Sequence, residues 1–237
     1  MTYKLPKSAR EYVLYQRTEL LPKRQDSLIK RILIRLGLMS DDYKKFVKAA
    51  AMDDSLSIDE RYFASMKEKV DSLIRHIPEQ TSSILDIGCG IAALDVYLNQ
   101  YLNPSNIYLL DKTETEEKIW YLFEDAGAFY NSLELSKETL ELNGVASSKI
   151  ELIEAPSDGE IPLGSGSIDL VISTISWGFH YPINIYVKSV FNLLSKDGVL
   201  IVDLRKDSEG LTDLKKLFNV EIIEQKGKVQ TVKCMKK

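Results

Sequence analysis

Asp86-Ile87-Gly88-Cys89-Gly90 forms a glycine turn directly after a short apolar run. Gly88 and Gly90 permit tight turning and close approach of a ligand to the backbone. A helix is expected to begin near Ile91, so its first amides point at the same spot. Asp111 ends the next apolar run, about 20 residues beyond the turn, where a carboxylate can accept ribose hydroxyls. Further on, Ser173-Thr174-Ile175-Ser176-Trp177-Gly178-Phe179-His180-Tyr181-Pro182 crowds aromatics, a histidine and a proline behind the fourth apolar run. The imidazole of His180 has an ordinary pKa near neutrality, which suits a general base that removes a hydroxyl proton. The competing role for His180 is to order the loop through a hydrogen bond.

The elements that must position these groups are legible from hydropathy. Short apolar runs at 84–87, 107–110, 150–153, 168–172 and 199–202 predict buried strands. Helical stretches at 91–102, 132–143 and 184–195 link them, which indicates parallel βαβ units. Asn143-Gly144 and Asp197-Gly198 read as turns at helix ends. Segments 220–224 and 229–234 flank Gln225-Lys226-Gly227-Lys228 and predict a closing hairpin.

Residues 1–79 read as a separate helical cap, and residues 80–237 as the ligand-binding domain. Leu28, Ile29, Ile32, Leu33 and Leu36 recur at helical spacing before Gly37. Ser40-Asp41-Asp42 is expected to start a second helix through Phe46 and Val47. Ser57 with Glu60 has the spacing of a capping box for a third helix through Tyr62, Met66, Val70, Leu73 and Ile74, ended by Pro78.

Gly88-x-Gly90-x-x-Ala93 also satisfies a nicotinamide-dinucleotide fingerprint, which leaves a dehydrogenase as an alternative. Asp86 argues against it. A carboxylate two residues before the first glycine faces a pyrophosphate unfavourably, but can hold the ammonium of a methionine moiety.

Asp86-x-Gly88-x-Gly90 followed by Asp111 resembles the first two motifs of the class I S-adenosylmethionine-dependent methyltransferases. The stretch 167–173 is similar to that family's fourth-strand motif, and 193–200 to its leucine, turn, glycine, strand-five segment. The closing hairpin resembles the family's sixth and seventh strands. Together the motifs span residues 80–237. The resemblance implies an α/β fold: a Rossmann-like, mostly parallel seven-stranded sheet with a C-terminal antiparallel hairpin. It implies S-adenosylmethionine as cofactor and S-adenosylhomocysteine as product.

The resemblance also assigns positions. Asp86, Gly88 and Gly90 would line the methionine end of the donor, with Cys89 a small packed residue in that turn rather than a nucleophile. Asp111 would hold the ribose, with Lys112 beside it. Ala155, Pro156, Ser157 and Asp158 would border the adenine, although Asp158 reads equally well as a turn-former before Gly159. Asn131 and Ser173 are placed on the donor side, and Ser176, Trp177 and Tyr181 on the acceptor side. Core filling is the competing role for Trp177 and Tyr181. Arg205, beyond the fifth strand, suits a carboxylate or phosphate on the acceptor, or a surface ion pair with Asp203 or Asp207. Trp120, Tyr121, Phe123, Phe129 and Tyr130 form an aromatic insertion of the kind that builds a lid or acceptor pocket. Tyr43, Phe46 and Tyr62 are further candidates from the cap.

Composition narrows the function. Two cysteines and two histidines among 237 residues give neither a disulfide framework nor zinc-ligand spacing, so no metal is expected. A net charge of −4 argues against a nucleic-acid partner. Residues 1–35 nevertheless carry nine Lys/Arg against three Asp/Glu, a solvated face or a docking surface for an anion or a membrane. No apolar run has the length of a membrane span, and no signal-peptide pattern opens the chain, so a cytoplasmic location is expected.

The expected activity is O-methylation of a small polar acceptor. The stretch 176–182 and the segment 129–135 resemble sugar O-methyltransferases of bacterial surface-polysaccharide gene clusters. A sugar, a nucleotide-linked sugar or a hydroxy acid follows from that resemblance. N-methylation of a small amine and a non-catalytic nucleoside-binding module are the alternatives.

Overall fold

The computed structural model describes residues 3–22, 43–115 and 130–237. The periodic residues Leu28 to Gly37, the expected helix start at 40–42, and Trp120, Tyr121, Phe123 and Phe129 lie outside the described residues. So do the side chains of Tyr43 and Tyr130.

The described chain opens with helices α1 (Ala9–Gln16), α2 (Tyr43–Asp53) and α3 (Ser55–Leu73). Strand β1 (Ser83–Ile87), helix α4 (Ala93–Leu102) and strand β2 (Asn106–Asp111) follow. Two-residue strands β3 (Glu114–Thr115) and β4 (Tyr130–Asn131) pair with each other, then come α5 (Leu133–Leu142) and β5 (Ile150–Glu154). Strand β6 (Ile168–Ser173), helix α6 (Val187–Leu193) and strand β7 (Leu194–Arg205) lead to α7 (Gly210–Leu217) and the hairpin β8 (Phe218–Lys226) and β9 (Val229–Lys236). The seven-stranded sheet has the order β5-β2-β1-β6-β7-β9-β8. Its first five strands are parallel, and β9 runs antiparallel to both β7 and β8.

Every residue of β1 is buried, because helices cover both faces of the sheet. Its side chains alternate between two apolar clusters. Ile84 joins Leu109, Leu170 and Ile201 on the face covered by α3 and α4. Leu85 and Ile87 join Val171, Leu200, Trp177 and Phe218 on the other. The chain runs from β1 outward through β2 to β5, then returns to place β6 on the opposite side of β1. That reversal is the topological switch point, where open α/β sheets bind ligands beyond the carboxyl ends of their strands. The glycine turn follows β1 and the 173–182 stretch follows β6, so both open onto it.

Two expectations are corrected, and one element is added. The Asp197-Gly198 turn lies inside β7, where the register with β6 jumps between Ile168 and Leu170 and the extra residues form a bulge. Helix α3 begins at Ser55 with Asp54 at its N-cap, so Ser57 sits inside the first turn rather than capping it. Helix α7, with Leu214 buried, falls between β7 and β8, where no helix is expected from the sequence.

The N-terminal helices share one core with the sheet. Leu5, Val13, Leu14, Tyr62 and Phe63 pack in the same cluster as Leu94, Tyr97 and Leu98 of α4. Arg10 clamps Asp59 of α3 with two hydrogen bonds of 2.8 Å, and the amide of Leu5 donates to the same carboxylate at 3.1 Å. Lys69 of α3 reaches the buried Asp203 of β7 at 3.0 Å and Glu224 of β8 at 3.5 Å. Among the described residues no helix is long and apolar enough to cross a membrane.

Asp59 is 2% exposed, so its removal strands the Arg10 charge and an unpaired Leu5 amide. Asp59→Ala is expected to cost about 3 kcal/mol in urea unfolding as one cooperative transition. An unchanged midpoint would show that the clamp contributes nothing to stability.

Candidate active site

The turn after β1 is held by the end of β2. The amide of Gly88 donates to the Leu110 carbonyl at 2.6 Å. The amide of Gly90 donates to one oxygen of Asp111 at 2.9 Å, and the amide of Lys112 to the other at 2.8 Å. Gly88 and Gly90 have φ of +76° and +55°, which glycine adopts without strain. Ala92 follows at φ +55° and caps α4. From below, Ser136 of α5 donates to the Gly90 carbonyl.

Asp111 is mostly buried, and burial pushes its carboxyl up to about 6, against the pull of the Gly90 and Lys112 amides. Asn131 lies beside it, 4% exposed, and its amide helps hold the Asp111 carboxyl down, yet neither amide atom makes a well-formed hydrogen bond among the described residues. A buried amide without partners is costly, and water or a bound polar group can complete its bonding.

Asp86 sits under the turn, buried against α4. Its carboxyl is within hydrogen-bonding reach of Asp95, a residue of the first turn of α4 that is completely buried. Burial and the neighbouring carboxylates hold Asp86 well above the usual range. Burial likewise raises Asp95 to about 7. Cys89 is buried in the turn, and burial raises its thiol, so it is not poised as a nucleophile. The cap reaches this floor. Tyr62 of α3 is raised to about 12 by burial, and it feels Arg17 as well as Cys89, Asp86 and Asp95.

The stretch after β6 closes over the turn. Ser173 is buried; its hydroxyl donates to the Ile87 carbonyl at 2.6 Å and accepts the Trp177 amide at 3.1 Å, tying β1, β6 and the loop together. Ile175 has φ +53°, an unfavourable region for a β-branched residue, which costs about 1–2 kcal/mol. It swings Ser176 onto Gly88, where an added Cβ would lie 1.9 Å from the Ser176 hydroxyl oxygen. Trp177 is 1% exposed and its indole donates to the Ile183 carbonyl at 3.1 Å, so it is core that also shows one edge to the cavity.

A cavity of about 200 Å³ opens at this point. Gly88, Asp111, Lys112, Ala155, Pro156, Ser157, Ser176, Trp177 and Tyr181, all singled out in the sequence, line it. Ile185 and Tyr186 also line it, and were not anticipated. They arrive on the short turn Ile183–Ile185, which carries no local signal for a ligand. Asp86, Cys89, Asn131 and Ser173 are buried and Gly90 is half-buried, and none of the five is among the lining residues of this cavity. Asp158 accepts the Glu160 amide at 3.0 Å and is exposed, so it forms the turn. It still lies near enough to join Asp111 in raising Tyr186, whose shift comes first from burial.

His180 and Arg205 are exposed and outside the lining. Burial of the ring and the charge of Arg205 both lower the His180 pKa. Arg205 makes no ion pair with Asp203, whose partner is Lys69. The largest omission from the sequence reading is Asp95. Its signal is a lone charge inside the apolar run 91–98.

A mostly parallel sheet with this switch point and an antiparallel closing hairpin is the fold of the class I S-adenosylmethionine-dependent methyltransferases. Solved structures with this fold are similar over most of the chain. A SAM-dependent methyltransferase from Aquifex aeolicus is 12% identical with a TM-score of 0.51, over 73% of this chain and 97% of that one. The PH0226 protein from Pyrococcus horikoshii OT3 is 16% identical with a TM-score of 0.52, over 74% and 91%. The tRNA methyltransferase TrmK from B. subtilis is 17% identical with a TM-score of 0.50, over 71% and 65%. At these identities the likeness is one of fold. No protein-family model matches the sequence, and no curated protein matches it.

The raised carboxyls make stability depend on pH with a definite sign. Between 3.8 and about 7 the folded chain keeps a proton on Asp95 that the unfolded chain loses, so stability falls as pH rises through that window. Asp95→Asn is expected to stabilise the protein by about 1–2 kcal/mol more at pH about 8 than at pH about 5, read from urea unfolding at each pH. An equal gain at both pH values would contradict the burial of an ionisable pair.

Proposed function

We propose that this protein is an S-adenosylmethionine-dependent methyltransferase acting on a hydroxyl of a small polar acceptor. The observation that carries the reading is the pairing of Asp111 with the Gly90 amide at the switch point, beside the unpartnered amide of Asn131. That arrangement fits a nucleoside: carboxylate and amide for ribose hydroxyls, and Ala155, Pro156 and Ile185 as apolar borders for the base. Asp86 supplies a carboxylate for the donor's ammonium, which a dinucleotide pyrophosphate would not tolerate.

The donor, when bound, supplies a methyl group already activated on a sulfonium. The chain's own contribution is alignment, and effective molarity from orientation is large. Ser176, Trp177, Tyr181 and Tyr186 border the space next to Gly88 and hold the acceptor against the methyl. Lowered by burial and by Arg205, the His180 imidazole is neutral at neutral pH and takes the proton from an acceptor hydroxyl entering from solvent. Arg205 offers a cation without an ion-pair partner among the described residues, suited to the phosphate or carboxylate of an anionic acceptor. A nucleotide-linked sugar, a sugar or a hydroxy acid of surface-polysaccharide synthesis has the chemistry these groups recognise.

Asp111→Ala is expected to weaken S-adenosylmethionine binding about 100-fold by calorimetry, with the circular dichroism spectrum retained. Unchanged affinity would place the ribose elsewhere. His180→Ala is expected to lower kcat about 100-fold, with donor affinity unchanged, in assays that follow S-adenosylhomocysteine release across nucleotide sugars, hydroxy acids and amines. Wild-type turnover in that variant would make the histidine architectural.

A further inference from the structure

Asp95 has no role in the donor contacts proposed above, yet it is the most conspicuous buried charge in the structure. It is 0% exposed, and neither carboxylate oxygen has a hydrogen-bond partner among the described residues. An isolated ionised carboxylate in that state is prohibitively costly. The neighbour within reach is a second carboxyl, Asp86, which is 3% exposed. Two carboxyls so placed cannot both ionise, and a single proton between them satisfies one oxygen of each.

The groups around the pair reinforce this. Asp111 approaches from the end of β2 and Cys89 from the glycine turn, and Tyr62 faces it from α3. None of these is cationic. The nearby cation is Arg17, which follows α1 and acts on Tyr62. Among the described residues the pair therefore lacks its own counter-charge, and an ammonium brought by a ligand would supply one.

We infer that Asp95 is a positioning residue acting through Asp86: the two carboxyls hold one proton in the free protein, and docking of the donor's ammonium against Asp86 expels it. The step breaks one O–H bond of the pair, and the proton leaves to solvent while the ammonium replaces it as counter-charge. Donor binding is thereby coupled to proton release and strengthens as pH rises. The inference rests on the donor site proposed above.

The test is calorimetric titration of the full chain with S-adenosylmethionine in buffers of different ionisation enthalpy. 5′-Methylthioadenosine, which lacks the amino-acid part, is the control. The expected result is release of up to one proton more with S-adenosylmethionine than with 5′-methylthioadenosine, whose ribose meets Asp111 alone. Affinity for the former should rise up to about tenfold per pH unit between pH about 5.5 and about 7. In Asp95→Asn the release should fall and the pH slope move to lower pH, because a neighbouring carboxylate is gone while burial still acts on Asp86, and affinity for 5′-methylthioadenosine stays at the wild-type value. S-adenosylmethionine binding without proton release overturns the inference and leaves the donor site standing. Equal release with both ligands overturns it as well, since the proton would then not answer to the ammonium. Absence of binding by either nucleoside overturns the donor site itself. Should Asp95→Asn not fold, the two-ligand comparison on the wild-type chain decides alone.

Discussion

The hydrogen bond from the Gly90 amide to Asp111, at 2.9 Å, is the contact on which the site depends. It joins the turn after β1 to the end of β2, and the second oxygen of the same carboxylate holds the next residue's amide. The carboxylate thus fixes the backbone that a ligand approaches, and it keeps lone pairs for that ligand. Burial raises its pKa to about 6, so it remains ionised at neutral pH. The parallel sheet below exists to bring these two strand ends side by side, with β1 and β2 in register from Ser83 with Asn106 to Ile87 with Leu110.

The second constraint is dryness. The floor of the turn holds Asp86, Asp95 and Cys89, all buried. Water is kept out partly by the N-terminal helices, because Tyr62 of α3 seals the same floor and Phe63 packs on Tyr97 of α4. Low dielectric strengthens every charge interaction there. The clamp from Lys69 to Asp203 holds that cover on the sheet, and the clamp from Arg10 to Asp59 ties α1 to α3 within it. The N-terminal helices and the glycine turn are therefore one electrostatic unit.

Much of this was legible in the residues, for identifiable reasons. The central strands β1 and β6 are covered on both faces and read as nearly continuous apolar runs, whereas the edge strand β5 is half-exposed and carries Glu151 and Glu154. The glycine turn and Asp111 were legible because glycines and a strand-terminal acid have few other reasons to stand at that spacing. Asp197-Gly198 misled because a turn dipeptide serves a bulge equally well, and only pairing with β6 distinguishes the two. The start of α3 was missed because Asp54 caps it without a side-chain bond. Tyr186 and Ile185 were missed because their place depends on how the chain leaves the loop after Pro182. His180 keeps the chemistry of a base, and the fold sets it at the exposed rim beside Arg205, outside the cavity lining. Spacing along a chain says which loop a residue occupies, not which way that loop faces.

The account reduces to the claim that the frame of residues 86–90 and Asp111 is built around an adenosine bearing a sulfur side chain. A crystal structure of the full chain grown with S-adenosylhomocysteine tests it most directly. The account predicts ribose hydroxyls on Asp111, with the Gly90 amide still bonded to that carboxylate, and the amino group against Asp86. A ribose that leaves Asp111 untouched, or a cleft that takes a nicotinamide dinucleotide in its place, would contradict it.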